Sequence, residues 1–314
     1  MIVLATAGVV GADGGCKKGL NSIQTENIHL VHTMKKSMGL LLTAFLLSNL
    51  PSCNNDNFVE LNSKSDHINP DSLFTDLDPT LHIQTAQEGN LTIYKIDKYN
   101  TVVVKIPHIS SYLYLRSPAK SLKQIAQDSN YTLVVNASYF DVVIHYGAND
   151  TTITFKHAGF LKINDTIYEE MKDDRQLSRL FAYDSKNNIV DYFGVNDLDQ
   201  TKDYDLVVQI GPQIIWKNEI DTACIEASFN GAIPWARTTF ASVNGKELYV
   251  IVNLGFAPVT LLDLGRMLRS SGIFRKELNI INFDGGFSTS LYIKNHPEFS
   301  ANPDNTMPVL IGVR

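Results

Sequence analysis

Short apolar runs separated by turn-forming residues most limit how this 314-residue chain can fold. Clear examples after residue 90 are residues 101–106, 247–252 and 278–283. Runs of this length that are rich in Val and Ile are typical of β-strands rather than helices. Residues 91–96 and 101–106 also have the spacing of a β-hairpin. The part of the chain after residue 90 is therefore predicted to be rich in strands.

One helix is predicted to begin at Thr260, because Asp263 stands three residues later in the capping-box relation. Apolar strands are predicted on either side of this helix, at 247–252 and 278–283. A strand, a helix and a strand this close together favour a right-handed crossover between two parallel strands. The predicted fold class is α+β, a strand-rich mixed sheet with a few helices and one βαβ-like crossover near the C-terminus.

A basic start and a short apolar run lie near the N-terminus. Lys35 and Lys36 precede the uncharged run 39–50, and Cys53 follows it. The run is shorter than the roughly 20 residues that a membrane-spanning helix needs. This pattern resembles a bacterial lipoprotein signal peptide with Cys53 as the lipidated residue. The alternative is a buried apolar helix with a chance cysteine.

Three regions follow from this interpretation. Residues 1–52 are predicted to be an upstream extension and a signal peptide, residues 53–89 a polar tether and lead-in, and residues 90–314 the folded domain. The protein is then expected in a bacterial cell envelope, on the periplasmic side or the outer-membrane surface. Its only expected contact with a membrane is the lipid anchor at Cys53.

Composition excludes some classes of protein. The chain has 27 Lys and Arg against 33 Asp and Glu, a formal net charge of −6 and a pI near 5.7. A nucleic-acid partner is not expected, because affinity for phosphate backbones needs clustered Lys and Arg. A small anionic ligand needs only one or two Arg and stays possible. Three cysteines are too few for a disulfide scaffold.

Asp284, Gly285 and Gly286 follow the apolar run 278–283 directly, and Ser288 comes two residues later. A carboxylate at the end of a strand, next to glycines that let a ligand approach closely, is typical of a site. The hydroxyl and nearby backbone N–H groups could hold an anion. The alternative is a plain β-turn, in which Asp-Gly is common.

Two further segments carry candidate residues. Arg237 and Thr238 stand among apolar and aromatic residues, where the Arg could hold a carboxylate or phosphate or form a structural ion pair. Asn136 and Asp141 follow the predicted strand 131–135, where they could bind sugar hydroxyls or cap turns.

Several standard chemistries have no motif in the chain. There is no P-loop, no G-x-G-x-x-G and no His pair with zinc spacing, so neither a nucleotide cofactor nor a metal is expected. Residues 286–290 lack the final glycine of a hydrolase nucleophile elbow, and the strand–elbow–helix context is missing.

Taken in order, five stretches resemble the phosphodiester glycosidase family: residues 135–140, 211–215, 236–238, 260–264 and 281–288. The resemblance covers roughly residues 90–314. Three departures stand out: Phe287 replaces a usual third glycine, Asn253-Leu254 replaces Asp-Gly, and an Arg often found before residue 307 is missing.

The resemblance implies a glycosidase that cleaves a sugar-1-phosphodiester, releasing the sugar and leaving a phosphomonoester. It implies a cavity lined by six residues: Asn136, Arg237, Asp284, Gly285, Gly286 and Ser288. Arg237 and the loop would bind the phosphodiester, and Asp284 would supply the carboxylate. Asp141 and Glu226 are candidates for a second carboxylate, whereas Asp263 is better explained as a helix cap.

The expected partner is a glycosyl phosphate, as a small molecule or as part of a polymer. The alternative function is a non-catalytic binder of surface or extracellular polysaccharide that uses the same cavity. Release of sugar from a sugar-1-phosphodiester, with no metal or nucleotide added, distinguishes the two.

Overall fold

The computed structural model describes residues 77–146, 151–254, 257–274 and 276–314. The upstream extension, the proposed signal peptide and Cys53 lie outside the described residues, so those assignments stay predictions. The lead-in predicted at 53–89 enters the described part at Leu77 and contains a strand from Ile83 to Glu88. Ile83 and Ala86 of this strand pack against the domain core.

The largest sheet has eight strands, and all of its pairings are antiparallel. In spatial order the strands are β1 (Ile83–Glu88), β2 (Leu91–Ile96), β3 (Thr101–Ile106), β16 (Glu247–Asn253), β15 (Arg237–Val243), β17 (Leu278–Gly285), β13 (Gln213–Trp216) and β14 (Glu219–Ile220). The predicted hairpin between 91–96 and 101–106 is confirmed as the pair β2 and β3.

Three smaller antiparallel sheets accompany it. The five-stranded sheet has the order β11 (Ile189–Gly194), β10 (Arg179–Asp184), β12 (Leu206–Ile210), β8 (Leu161–Ile163) and β9 (Thr166–Glu169). The four-stranded sheet has the order β18 (Leu291–Ile293), β5 (Leu133–Asn136), β19 (Val309–Val313) and β4 (Ser111–Tyr114). The remaining hairpin pairs β6 (Phe140–Tyr146) with β7 (Thr151–His157).

The α+β prediction is wrong, because the described part is mostly β and its sheets are antiparallel. β16 and β17 flank a helix as expected, but they do not pair with each other. β15 lies between them and is antiparallel to both. The sequence does not reveal β15, because this strand begins with Arg-Thr-Thr, a polar start that does not stand out as a strand.

Three α-helices are described: α1 (Leu122–Ser129), α2 (Thr222–Ala227) and α3 (Leu261–Ser270). Thr260 caps α3, and its hydroxyl accepts a hydrogen bond from the Asp263 backbone N–H at 3.1 Å. This confirms the predicted start of the helix. Among the described residues, no helix is long and apolar enough to cross a membrane.

The eight-stranded sheet is covered on both faces. Along β3, Val102 and Val104 belong to a core shared with the four- and five-stranded sheets, whereas Val103 belongs to a second core under α3. Because successive side chains of a strand point to opposite faces, a strand buried on both sides is apolar throughout. This explains the uninterrupted apolar runs in the sequence.

Three phenylalanines tie the five-stranded sheet to the eight-stranded sheet. The ring of Phe181 on β10 lies 5.0 Å from that of Phe240 on β15 and 5.4 Å from that of Phe283 on β17, centroid to centroid. All three side chains are buried. Edge-to-face contacts of this kind add to the free energy of burying the rings.

We expect Phe181→Ala to lower the free energy of unfolding by about 3–5 kcal/mol, because it leaves a cavity between two sheets. Phe193→Ala on β11 is the control, since its ring is half-buried and packs outside this cluster. Urea denaturation measures both variants. A loss below about 1 kcal/mol for Phe181→Ala would show that the two sheets do not depend on this contact.

Candidate active site

The candidate residues meet where three strands reach the same place in the fold. β5 ends at Asn136, β15 begins at Arg237, and β17 ends at Asp284 and Gly285. In the ladder between β15 and β17, Thr238 pairs with Asp284 and Arg237 pairs with Gly285. A bulge in β17 directly precedes this pairing, because the register shifts between Thr238 and Thr239. Bulges often re-aim a side chain next to an active site.

Asn136 is tied to the other sheet through its side-chain oxygen. Its Oδ1 accepts hydrogen bonds from Thr238 Oγ1 at 2.7 Å and from the Ser290 backbone N–H at 2.9 Å. The side chain is 1 % exposed, and its Nδ2 has no acceptor among the described residues. A buried donor without a partner is costly, and such groups in native proteins call for an explanation such as a ligand.

Arg237 is anchored to backbone carbonyls rather than to an acid. Its Nη2 donates to the carbonyls of Asn230 and Ile233, both at 2.6 Å, and its Nε donates to that of Val259 at 3.4 Å. No carboxylate among the described residues lies within ion-pair distance. The guanidinium therefore holds the 230–236 loop, while Nη1 has no acceptor within the described part. Burial lowers the pKa of Arg237.

Asp284 is a buried carboxylate with no counter-ion within ion-pair distance among the described residues. Its side chain is 7 % exposed, and its Oδ1 accepts a hydrogen bond from the Gly285 backbone N–H at 2.7 Å. Burial raises its pKa from 3.8 to about 7, against the opposite effects of the Gly285 N–H, the Ser288 hydroxyl and the more distant charge of Arg237. Desolvation dominates because the charged form has lost water without gaining an ion pair.

The two glycines after Asp284 are required by the geometry. A Cβ on Gly285 would lie 2.5 Å from the Ala236 carbonyl oxygen, so no larger residue fits there. Gly286 has a φ of +66°, which side chains other than glycine rarely adopt, and its N–H donates to the Ala236 carbonyl at 2.8 Å. The loop is thus pressed against β15. A short 3₁₀ turn, Gly286–Ser288, follows.

The structure does not bring every candidate to this place. Asp141 lies on the β6–β7 hairpin, half-exposed, with its Oδ2 3.4 Å from Lys172 Nζ. Glu226 is exposed on α2. Asp263 accepts a hydrogen bond from Thr260 Oγ1 at 2.8 Å, as expected of a helix cap. Neither Asp141 nor Glu226 acts on the pKa of Asp284, Arg237 or Tyr139.

Two residues at this place were not among the predicted site residues. Asn282 Nδ2 donates to the Tyr139 hydroxyl, which itself donates to the Gly211 carbonyl at 3.1 Å. Burial raises the pKa of Tyr139, and the charge of Asp284 raises it further. An Asn within the apolar run 278–283 was the available signal, since a buried polar side chain needs a specific partner.

Together these contacts place one buried carboxylate, one guanidinium and one amide group, with no acceptor for its N–H groups in the part of the chain that the structure describes, at the end of the β15–β17 ladder. Such a site can stabilise an anion and a nearby positive charge at the same time. Within the described residues, no group of three or more His, Cys, Asp or Glu side chains is arranged to hold a metal ion.

Comparisons with known proteins give distant structural likenesses only. No known protein family and no curated protein sequence matches the chain. The catalytic domain of zebrafish N-acetylglucosamine-1-phosphodiester alpha-N-acetylglucosaminidase, auto-inhibited by its pro-peptide, is similar over 74% of this chain and 82% of that one, with 15% identity and a TM-score of 0.48. A hypothetical protein from Synechocystis is similar over 74% of this chain and 62% of that one, with 13% identity and a TM-score of 0.42.

The raised pKa of Asp284 predicts how stability depends on pH. Because the unfolded pKa is near 4 and the folded pKa is about 7, the folded state holds this proton more tightly. The contribution of the protonated Asp284 carboxyl to the stability of the folded protein is complete below about pH 4 and is lost as the pH rises through about 7. Asp284→Asn removes this loss. We therefore expect the free energy of unfolding of the variant, relative to that of the wild type, to be higher at pH 8 than at pH 4, by a few kcal/mol at most.

Urea denaturation at the two pH values tests this expectation. Asp141→Asn is the matched control, since that carboxylate is half-exposed and paired with Lys172. An unchanged difference between wild type and Asp284→Asn at the two pH values would mean that Asp284 ionises at its ordinary pKa.

Proposed function

We propose that this protein is a phosphodiester glycosidase, which hydrolyses a sugar-1-phosphodiester to the free sugar and a phosphomonoester. The observation that carries the proposal is the meeting of Asp284, Asn136 and Arg237, which lie 47 to 148 positions apart in the sequence, at the end of one β-ladder. The motif resemblance in residues 135–140, 236–238 and 281–288 points to the same three residues.

In the proposed reaction, the bond between sugar C1 and the phosphate oxygen breaks, and its electron pair leaves with the phosphate. The oxygen of water adds to C1, and one proton is released. Phosphate is a good leaving group, so it does not need strong protonation. The enzyme has mainly to stabilise the oxocarbenium-like centre at C1 and to direct the attack.

Asp284 suits this task because its charge is poorly solvated and unpaired. In such an environment, the electrostatic attraction between the carboxylate and a positive charge that develops beside it is strong. We place the Asp284 carboxylate next to sugar C1. There it would attack C1 as a nucleophile, stabilise the positive charge on C1, or act as a base toward the attacking water. A single carboxylate is enough in this scheme, which agrees with the positions of Asp141 and Glu226 outside the cluster.

The phosphodiester anion is assigned to the other groups at the site. Arg237 keeps Nη1 available while its other nitrogens bind carbonyls. The turn Gly286–Ser288 would offer the backbone N–H groups of Phe287 and Ser288, since the Ser288 hydroxyl already interacts with Asp284. Asn136 Nδ2 would donate to a sugar or phosphate oxygen. Thr238 contributes indirectly, because its hydroxyl holds the Asn136 side chain.

A polysaccharide-binding role without turnover is the weaker candidate. Sugar binding needs hydrogen-bonding groups but not a buried carboxylate that lowers stability near neutral pH. We also propose that the protein works in a bacterial cell envelope, anchored through Cys53. That proposal rests on the sequence pattern at 34–53 alone.

The test is release of reducing sugar from sugar 1-(methyl phosphates) of both anomers, with no metal or nucleotide added. We expect Asp284→Asn to fold and to lose about 10²-fold or more in kcat, since the amide is neutral and a poor base. Asp263→Asn is the matched control. It makes the same Asp-to-Asn change at the start of α3, where Asp263 bonds to Thr260 rather than to the candidate site residues. The proposal fails if Asp284→Asn keeps most of its turnover.

A further inference from the structure

Two exposed aromatic side chains lie beside the candidate site. Trp235 is 37 % exposed and Phe287 is 69 % exposed, although large aromatic side chains are usually well buried. Their rings are 6.5 Å apart between centroids at an angle of 66°. We call this pair the aromatic rim. Contiguous exposed apolar surface is one of the features that mark binding sites.

The aromatic rim is fixed to the site by backbone contacts. Trp235 exchanges two backbone hydrogen bonds with Val259, at 3.0 and 3.3 Å. Gly286 lies so close to the Trp235 ring that a Cβ there would be 3.4 Å from Cε3. Phe287 is the middle residue of the turn that follows Asp284 and Gly285. The two rings are therefore held on the outer side of the loop assigned to the phosphate.

The chain around the aromatic rim carries no charge. Residues 227–236 and 285–293 contain no Asp, Glu, Lys, Arg or His. The Asn230 amide is engaged, since its Nδ2 donates to Gln176 Oε1 at 3.2 Å. A hexose offers hydroxyls that need hydrogen-bonding partners, whereas a hydrocarbon chain needs only apolar surface. The chemistry of the rim favours the hydrocarbon.

The order of groups then identifies which part of the substrate lies there. Asp284 is buried at the inner end and is assigned to C1, the turn after it is assigned to the phosphate, and the aromatic rim follows on the outside. Building on the proposed function, we propose that Trp235 and Phe287 bind the leaving group of the phosphodiester and that this group is a hydrocarbon chain.

Binding is tested first, independently of turnover. The chain has two tryptophans, so Trp216→Phe leaves Trp235 as the only tryptophan fluorophore. In this background, octyl phosphate is expected to change the Trp235 emission and to bind about tenfold or more tightly than methyl phosphate, since each buried methylene adds affinity. Phe287→Ala should remove most of that preference for octyl over methyl phosphate.

Ile167→Ala is the control for unspecific binding of the alkyl chain, because Ile167 is 54 % exposed on β9 and belongs to the five-stranded sheet. It should leave the octyl preference unchanged. Equal affinity for octyl and methyl phosphate overturns the proposal, and so does a hexose 6-phosphate that binds as tightly as octyl phosphate. These outcomes do not depend on whether the protein hydrolyses anything.

Turnover is measured with two diesters of one sugar 1-phosphate, methyl and octyl. Phe287→Ala and Trp235→Ala are expected to lower kcat/KM for the octyl diester about tenfold more than kcat/KM for the methyl diester. An equal loss for both diesters would assign the rings to loop structure and overturn the proposal. If the wild type hydrolyses neither diester, the proposed function fails, and the binding experiment alone decides what the rim holds.

Discussion

The hydrogen bond from Thr238 to Asn136 joins two sheets at the place where the candidate site forms. Thr238 belongs to the eight-stranded sheet and Asn136 to the four-stranded sheet, and both side chains are buried. The same Asn136 oxygen also accepts the Ser290 N–H, which ties down the chain after the 286–288 turn. With its oxygen fully used, the amide can offer only its N–H groups to a ligand. This bond links the end of β5 directly to β15, next to the residue that pairs with Asp284.

The site is assembled at the expense of stability. Asp284 is desolvated without an ion pair, Asn136 Nδ2 has no protein acceptor in the described part, and two rings of the aromatic rim are in water. A chain under selection for stability alone would replace each of these groups. Their presence at one end of one ladder is the usual trade between stability and activity. Arg237 offsets part of the cost by binding three carbonyls of the surrounding loops.

Much of the fold follows from the sequence, because buried strands and capped helices leave local signals. The runs 91–96, 101–106 and 247–252 predict strands from apolar content alone, and Thr260 with Asp263 predicts the start of α3. Strand pairing is not a local property. β15 reads Arg-Thr-Thr-Phe-Ala-Ser-Val, is buried throughout, and separates the two strands predicted to pair in parallel.

The site was predictable to a similar degree. Asn136, Arg237 and Asp284 were singled out by residue type and by motif order, and the structure brings them together. The carbonyl partners of Arg237 depend on the path of the 230–236 loop, which no local pattern encodes. Tyr139 and Asn282 were not singled out because their bond joins residues 143 positions apart. The exposure of Phe287 likewise follows from the turn geometry around Gly286.

The central claim is that a desolvated Asp284 carries the chemistry, and the pH dependence of kcat/KM for sugar release tests it most directly. This profile reports ionisations of the free enzyme. If Asp284 acts as the carboxylate, kcat/KM should fall as the pH drops below about 7, the pKa of this residue in the folded protein. The residual activity of Asp284→Asn should lack that limb. A wild-type acidic limb near pH 4, or the same limb near 7 in Asp284→Asn, would contradict the account.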